Sequence, residues 1–365
     1  MQKQTLSVAS ILLLTGLVAT TRQVAQAQAK VDQSNLLTSQ KLNNLLQKGH
    51  NLADAGDFPG ALAIYQRAAA LDSKNPRIFS GIGYLQARQG NFQEAANAYK
   101  QAIALDSKNA DFQYALGYSL GNLGDNAGAA AAYRRTIELD RNNLNGYLGL
   151  GVVLLRQGKY NDASRAYQQV LARQPKNASA YELMGAMFMQ QGRSKEEIAT
   201  LQQAAKLASN NSSVLLNLAI AWVSQGNPTA ALMTLKKAAL IDAPNVKVHM
   251  YMGEVLRSQN DLHGALEVYR RALFVQPNSV EAQAAIGDIL LTLRNFMPAI
   301  TAYRQLIELS PEDAQAYYNL GMALRGQERT QEAVAAFEQA LVLFRQQGKS
   351  EGVQKAEAVL RELHK

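Results

Sequence analysis

Residues Leu144–Asn177 read LNGYLGLGVVLLRQGKYNDASRAYQQVLARQPKN, and this stretch decides the fold. Gly151 lies at its position 8, inside a run of helix-favouring residues. A glycine there costs roughly 1 kcal/mol relative to alanine, so a close neighbour has to account for it. Stepping by 34 residues in both directions finds Gly49, Gly83, Gly117, Gly185, then Ala219, then Gly253, Gly287 and Gly321. A fixed period of this size is the signature of a repeat array.

Other positions keep the same register. Position 20 is Ala163 here, and Ala61, Ala95, Ala129, Ala231, Ala265, Ala299 and Ala333 elsewhere, with Glu197 the exception. Position 24 is Tyr167, matched by Tyr65, Tyr99, Tyr133, Leu201, Leu235, Tyr269, Tyr303 and Phe337. Position 27 is mostly Ala or another small to medium residue. Spacings of four and three put these positions on one helical face. Small residues at 8 and 20 let two helices pack closely, and the large side chain at 24 fills the remaining space. Each unit is predicted to be an antiparallel helix pair.

Turn chemistry follows the period. Position 15 is Gly158, with Gly56, Gly90, Gly124, Gly192 and Gly226, then Asn260, as at a helix end closed by a left-handed residue. Arg294 and Glu328 stand there in the last two full units, so those turns are expected to be built differently. Asp57, Asn91, Asp125, Asn227, Asp261 and Asn295 follow and are candidates to cap second helices. The eight prolines fall near helix starts or between units, not in helix interiors, where each would cost about 3 kcal/mol. No segment alternates with period two, so no sheet is predicted.

Tyr147, Leu150, Gly151, Leu154, Ala163, Tyr167 and Pro175 together resemble the tetratricopeptide repeat (TPR) pattern of a large residue, Leu-Gly, Tyr, Ala, an aromatic and Pro over 34 residues. Nine such units fit without a gap from residue 42 to 347, the first spanning 42–75 and the ninth 314–347. The resemblance implies an all-α, right-handed α-solenoid of helix-turn-helix repeats. The departures are local: Lys48 at position 7, Ala219 at position 8, Glu197 at position 20, and Gln113, His249 and Gln283 where an aromatic is usual at position 4. Glu197 bears most on packing.

Residues 348–365 read as a C-terminal capping helix. Val353, Ala356, Leu360 and Leu363 form one stripe, with Glu351, Lys355, Glu357, Arg361 and Glu362 on other faces, as the end of an array requires. Residues 30–41 are a short polar leader. Residues 1–29 have Lys3, a leucine-rich centre, Arg22 and then Ala25-Gln26-Ala27-Gln28-Ala29. That order reads as a signal peptide cleaved after Ala27 or Ala29, and implies export to a periplasm or equivalent lumen. An uncleaved membrane anchor is the alternative, although Thr15, Gly16, Thr20 and Thr21 weaken the run for a span. The chain has no Cys, so neither disulfides nor a lipoprotein anchor are available.

The formal charge is +8; loss of Lys3 and Arg22 with the signal peptide would remove two of these eight and leave +6. Much of the excess falls at positions 25 and 26 of second helices, as Arg134-Arg135, Lys236-Lys237 and Arg270-Arg271. In a TPR-like stack those positions face outward, as a solvated face. Catalysis has no support in the sequence. His50, His249, His263 and His364 are scattered and form no metal-ligand motif. No Gly-rich phosphate loop is present, and no cofactor is expected. The reading is of a non-enzymatic chain.

By the same resemblance, first helices line a concave groove through positions 2, 5, 9, 12 and 13. The candidate partner-binding residues are Arg77, Tyr84 and Arg88 near one end, then Tyr114, Tyr118, Leu148, Val152, Arg156, Leu216 and Ile220, then Glu254 and Asp288. The apolar middle marks a contact surface; Leu155 and Val223 are the groove positions most open to being lost into packing. Trp222 reads as core. Positions 5 and 9 lack the Lys, Asn and Arg set that resembles a C-terminal carboxylate clamp. The expected function is a protein-interaction scaffold or assembly factor binding a peptide or helix. The alternative is an accessory subunit of an envelope polysaccharide-synthesis or transport machine, contacting an enzyme through the same groove. Nucleic acid ranks below both, because no stacking aromatics interleave with the basic residues.

Overall fold

The computed structural model describes residue 33 and residues 36–363. The proposed signal peptide and His364 lie outside those residues. Every repeat forms two helices. First helices are α1 (36–54), α3 (Pro76–Arg88), α5 (Ala110–Asn122), α7 (Leu144–Arg156), α9 (Ala178–Gln190), α11 (Ser212–Ser224), α13 (Val246–Ser258), α15 (Val280–Thr292) and α17 (Ala314–Gly326). Second helices are α2 (Phe58–Leu71), α4 (Phe92–Leu105), α6 (Asn126–Leu139), α8 (Tyr160–Arg173), α10 (Ser194–Leu207), α12 (Pro228–Ile241), α14 (Leu262–Val275), α16 (Phe296–Leu309) and α18 (Thr330–Gln346). A last helix, α19 (Ser350–Leu363), follows. No strand occurs among the described residues. Helix α1 already includes residues 36–41, so half of the expected leader is helical.

The chain divides into two compact units, one through Arg173 and one from Gln174. In the first, Ala95, Tyr99, Leu116, Ala129, Tyr133 and Val153 share a core. In the second, a core runs through successive helices from Leu215 to Leu360.

The periodic glycines are explained by position 24. A Cβ placed on Gly49, Gly83, Gly117 or Gly151 would fall inside 3 Å of the ring of Tyr65, Tyr99, Tyr133 or Tyr167, respectively. In the second unit Gly253, Gly287 and Gly321 face Tyr269, Tyr303 and Phe337 in the same way. The neighbour that excludes a side chain is thus the large side chain at position 24, rather than the partner helix backbone. Repeat five does the same without a ring, since a Cβ on Gly185 would stand 2.7 Å from Leu201 Cδ2, whereas in repeat six Ala219 shares its core with Leu235.

Capping fixes each unit's phase. Asp57, Asp125, Asn227 and Asp261 accept from backbone N–H groups in the first turn of their second helices. Asn91 and Asn295 stand at the same place without a side-chain cap bond. A cap the sequence reading passed over sits at position 34, where Asn75, Asn109, Asn143, Asn177, Asn211, Asn245, Ser279 and Asp313 accept from the first turns of first helices.

The expectation for the last two turns was wrong. Arg294 and Glu328 adopt φ of 57° and 61°, the left-handed conformation that Gly158 takes at 69°. Their N–H groups donate to Leu291 and Arg325 as that of Gly158 donates to Leu155. The turn is imposed by the flanking helices whichever residue occupies it. Glu197 is 5% exposed on α10, and burial raises its carboxyl pKa above the ordinary value. Helix α19 follows α18, with Ala356 packed against Leu343 and Phe344. Arg345 pairs with Glu357 at 2.7 Å across that contact.

Candidate functional site

In the first unit α3, α5 and α7 bring position 9 into a row of Tyr84, Tyr118 and Val152. Tyr84 is 48% and Tyr118 is 47% exposed, while Val152, Tyr114 and Leu148 are half-buried. Arg77, Arg88 and Arg156 are exposed. Two of these cations are anchored. The Arg88 guanidinium carbon lies 5.0 Å from the Phe58 ring centroid and 6.0 Å from that of Tyr84, a cation–π geometry. Arg156 Nη1 donates to the Gly121 carbonyl at 2.8 Å. The Tyr118 ring meets Phe92 edge-on at 6.1 Å, and Tyr114 packs 5.7 Å from Tyr133. Burial, then the neighbouring Tyr118, pushes the Tyr114 hydroxyl pKa up. The face is an amphipathic one, with aromatic rings fixed at their bases and edged by guanidinium groups.

The second unit differs. Leu216 is 8% exposed and belongs to the core with Val248 and Met252 of α13. It is therefore removed from the contact surface: α11 packs Leu215, Leu216, Leu218 and Ala219 together, and the neighbouring helix covers it. Ile220 is half-buried against the same core. Of the two residues singled out as open to packing, Leu155 is buried but Val223 is exposed. Trp222 packs partly buried against the core. Glu254 is exposed. Asp288 is exposed too, yet its Oδ1 accepts from Tyr303 Oη at 2.8 Å and Asn319 Nδ2 at 3.1 Å. Glu182 of α9 accepts from Asn217 Nδ2 at 2.8 Å.

The histidines act singly. His249 is buried, with Nε2 2.7 Å from the Ala243 carbonyl, in the place of the usual aromatic. His263 is exposed, and His50 pairs with Asp54 at 2.8 Å. Among the described residues no three His, Asp or Glu side chains are placed to hold a metal. No described helix is long and apolar enough to cross a membrane.

The tetratricopeptide repeat model matches residues 148–212, 216–282, 250–296 and 284–350, and a further one matches 110–143. A TPR repeat model matches 49–90 and 87–124. The chain belongs to the tetratricopeptide repeat family. The chain is similar to several solved structures. A TPR protein from Parabacteroides merdae aligns with a TM-score of 0.56 at 17% identity, over 69% of this chain and 99% of that one. PilW, described as a widely conserved type IV pilus biogenesis factor, aligns at 0.52 and 19% identity, over 59% of this chain and 98% of its own. YrrB, a TPR protein with an unusual peptide-binding site, aligns at 0.40 and 21% identity, over 52% and 98%. No curated protein matches the chain. TPR proteins bind protein or peptide partners, and the fold is typically a non-enzymatic scaffold.

Proposed function

We propose that this TPR protein is an exported, non-enzymatic scaffold or assembly factor whose first-helix face in the first unit binds an apolar or mixed peptide or helix. One observation carries the reading. Tyr84 and Tyr118 occupy the same register on successive first helices and leave about half of each ring open to solvent. Tyrosine offers contact area with a polar tip, and aromatic side chains and Arg are enriched where partners bind. Arg88 and Arg156 flank the rings and favour a segment bearing carboxylates nearby. The test is a photo-crosslinking amino acid placed at Tyr118 in the full chain, with Gln169 on the exposed second-helix row as control. Discrete protein adducts at Tyr118 and none at Gln169 are expected in the native host. Equal labelling at both sites would defeat the assignment.

Export rests on the order of Lys3, the leucine-rich run and the small residues up to Ala29. Mass spectrometry of the protein from its host should find a chain beginning at Gln28 or Lys30. An intact Met1 in a membrane fraction would mean an anchored protein instead.

A further inference from the structure

The two most exposed large apolar side chains among the described residues are Phe274, at 90%, and Leu240, at 87%. The next, Met233, is at 61%. Phe274 and Leu240 are not independent accidents of the surface, because both occupy position 29 of consecutive second helices. The same position is Ala70, Ala104, Glu138, Ala172, Lys206, Glu308 and Val342 in the other repeats. Between them the surface sinks into a cavity of about 680 Å³, whose walls are α12 and α14 and whose floor includes Met252, Ala243 and Pro244. Lys236 and Arg271 stand at its edge. Lys237 and Arg270 are the adjacent residues, so each wall carries a basic pair one turn before its apolar side chain. Arg270 is paired with Glu267 at 3.0 Å; no ion pair engages Lys236, Lys237 or Arg271 among the described residues.

We propose that this cavity is a second docking site, on the second-helix face of repeats six and seven, for a partner segment that carries a bulky apolar side chain between carboxylates. The apolar socket receives the anchor, and burying it beside Phe274 and Leu240 removes one aromatic and one aliphatic side chain from water. The three unpaired cations set the sign of the partner. The site is bounded at the same register by Lys206 on one side and Glu308 on the other. It is therefore two repeats wide, as a peptide needs, and not a long basic and apolar strip of the kind a membrane surface would engage. A second copy of the chain is disfavoured by its own net positive charge. This site is separate from the Tyr84–Tyr118 face and stands or falls without it.

The experiment uses the full chain and a fluorescein-labelled peptide with central Phe and Leu flanked by Glu residues, and a matched peptide with Lys for each Glu. Fluorescence anisotropy should detect binding of the acidic peptide and not of the basic one. Leu240→Ser with Phe274→Ser, and separately Lys236→Glu with Arg271→Glu, should each weaken it by roughly tenfold or more. All four residues line an open surface, so circular dichroism should be unchanged. Arg134→Glu with Arg135→Glu, the equivalent basic pair in repeat three, should bind as the unaltered protein does. Added salt should lower the affinity. Indifference to peptide charge, or unchanged affinity in both double variants, would overturn the proposal. So would Phe274-dependent sedimentation with phosphatidylserine vesicles, or Phe274-dependent self-association, in the absence of peptide binding.

Discussion

Tyr303 Oη donates a 2.8 Å hydrogen bond to Asp288 Oδ1, tying a buried ring of α16 to an exposed carboxylate of α15. In repeat four the same two positions are Tyr167 and Val152, and Tyr167 Oη is buried without a partner among the described residues. Burial raises both phenol pKa values, and for Tyr303 the Asp288 charge adds to it. The pair predicts opposite outcomes for one substitution. Tyr167→Phe should be neutral or stabilising, because it removes an unpaired buried hydroxyl, whereas Tyr303→Phe should cost about 1 kcal/mol. Asp288→Ala should cost about 1–3 kcal/mol, and much less in a Tyr303→Phe background. Thermal unfolding followed by circular dichroism would measure all four, and additive losses would mean the bond contributes nothing.

Two buried helical glycines of the first unit should respond differently to the same methyl group. At Gly121 a Cβ would sit 3.6 Å from Val153 and 3.8 Å from Ala129, ordinary contact distances. At Gly151 it would stand 2.7 Å from Tyr167 Cζ. Gly121→Ala should therefore gain roughly 0.5–1 kcal/mol from helix propensity, and Gly151→Ala should lose about 1–3 kcal/mol through overpacking. Equal shifts in melting temperature would refute the ring-contact explanation of the period.

Glu197 carries a pH dependence with a definite sign. Burial raises its folded pKa, so the folded protein holds the proton more tightly than the unfolded chain does. That stabilisation is complete below the ordinary glutamate range and is lost as pH rises through it to the raised value. At neutral pH the buried charge remains as a cost. Glu197→Ala, which installs the residue found at position 20 of every other repeat, should raise the melting temperature at neutral pH. The advantage should shrink as pH falls towards about 4; an advantage independent of pH would point to packing alone.

Arg294 and Glu328 hold left-handed backbone at a place where six repeats use glycine. A left-handed conformation costs an ordinary residue roughly 1–2 kcal/mol, part of which glycine's greater chain entropy offsets. Arg294→Gly and Glu328→Gly should each gain about 0.5–1 kcal/mol. Gly158→Arg should lose a similar amount in denaturant titration.

The fold was legible because small and large residues alternate at fixed register, and close packing leaves few ways to satisfy Gly151 with Tyr167 or Gly185 with Leu201. Helix α19 was legible from its stripe. The Arg294 and Glu328 turns were not, since local propensity pointed away from a conformation that the helices on either side impose. Asn143 and its equivalents at position 34 carried a readable cap signal, an Asn, Ser or Asp directly before each first helix. Surface assignment was the weakest part. Position 5 is half-buried at Leu148 and buried at Leu216, because exposure there depends on the neighbouring helix rather than on the residue. The exposed pair Leu240 and Phe274 could have been found by tracking position 29 along with the basic positions 25 and 26.

Within each unit the described helices touch mainly the helix that follows or the one after it. Contacts of such short sequence separation favour rapid folding, and they have a mechanical corollary. Among the described residues no strand or long loop laces distant parts of a unit together, so tension applied along a unit should peel off one helix pair without tearing the next. Each released repeat of 34 residues adds roughly 110 Å of contour length. Pulling on either unit is therefore expected to lengthen it in repeat-sized increments.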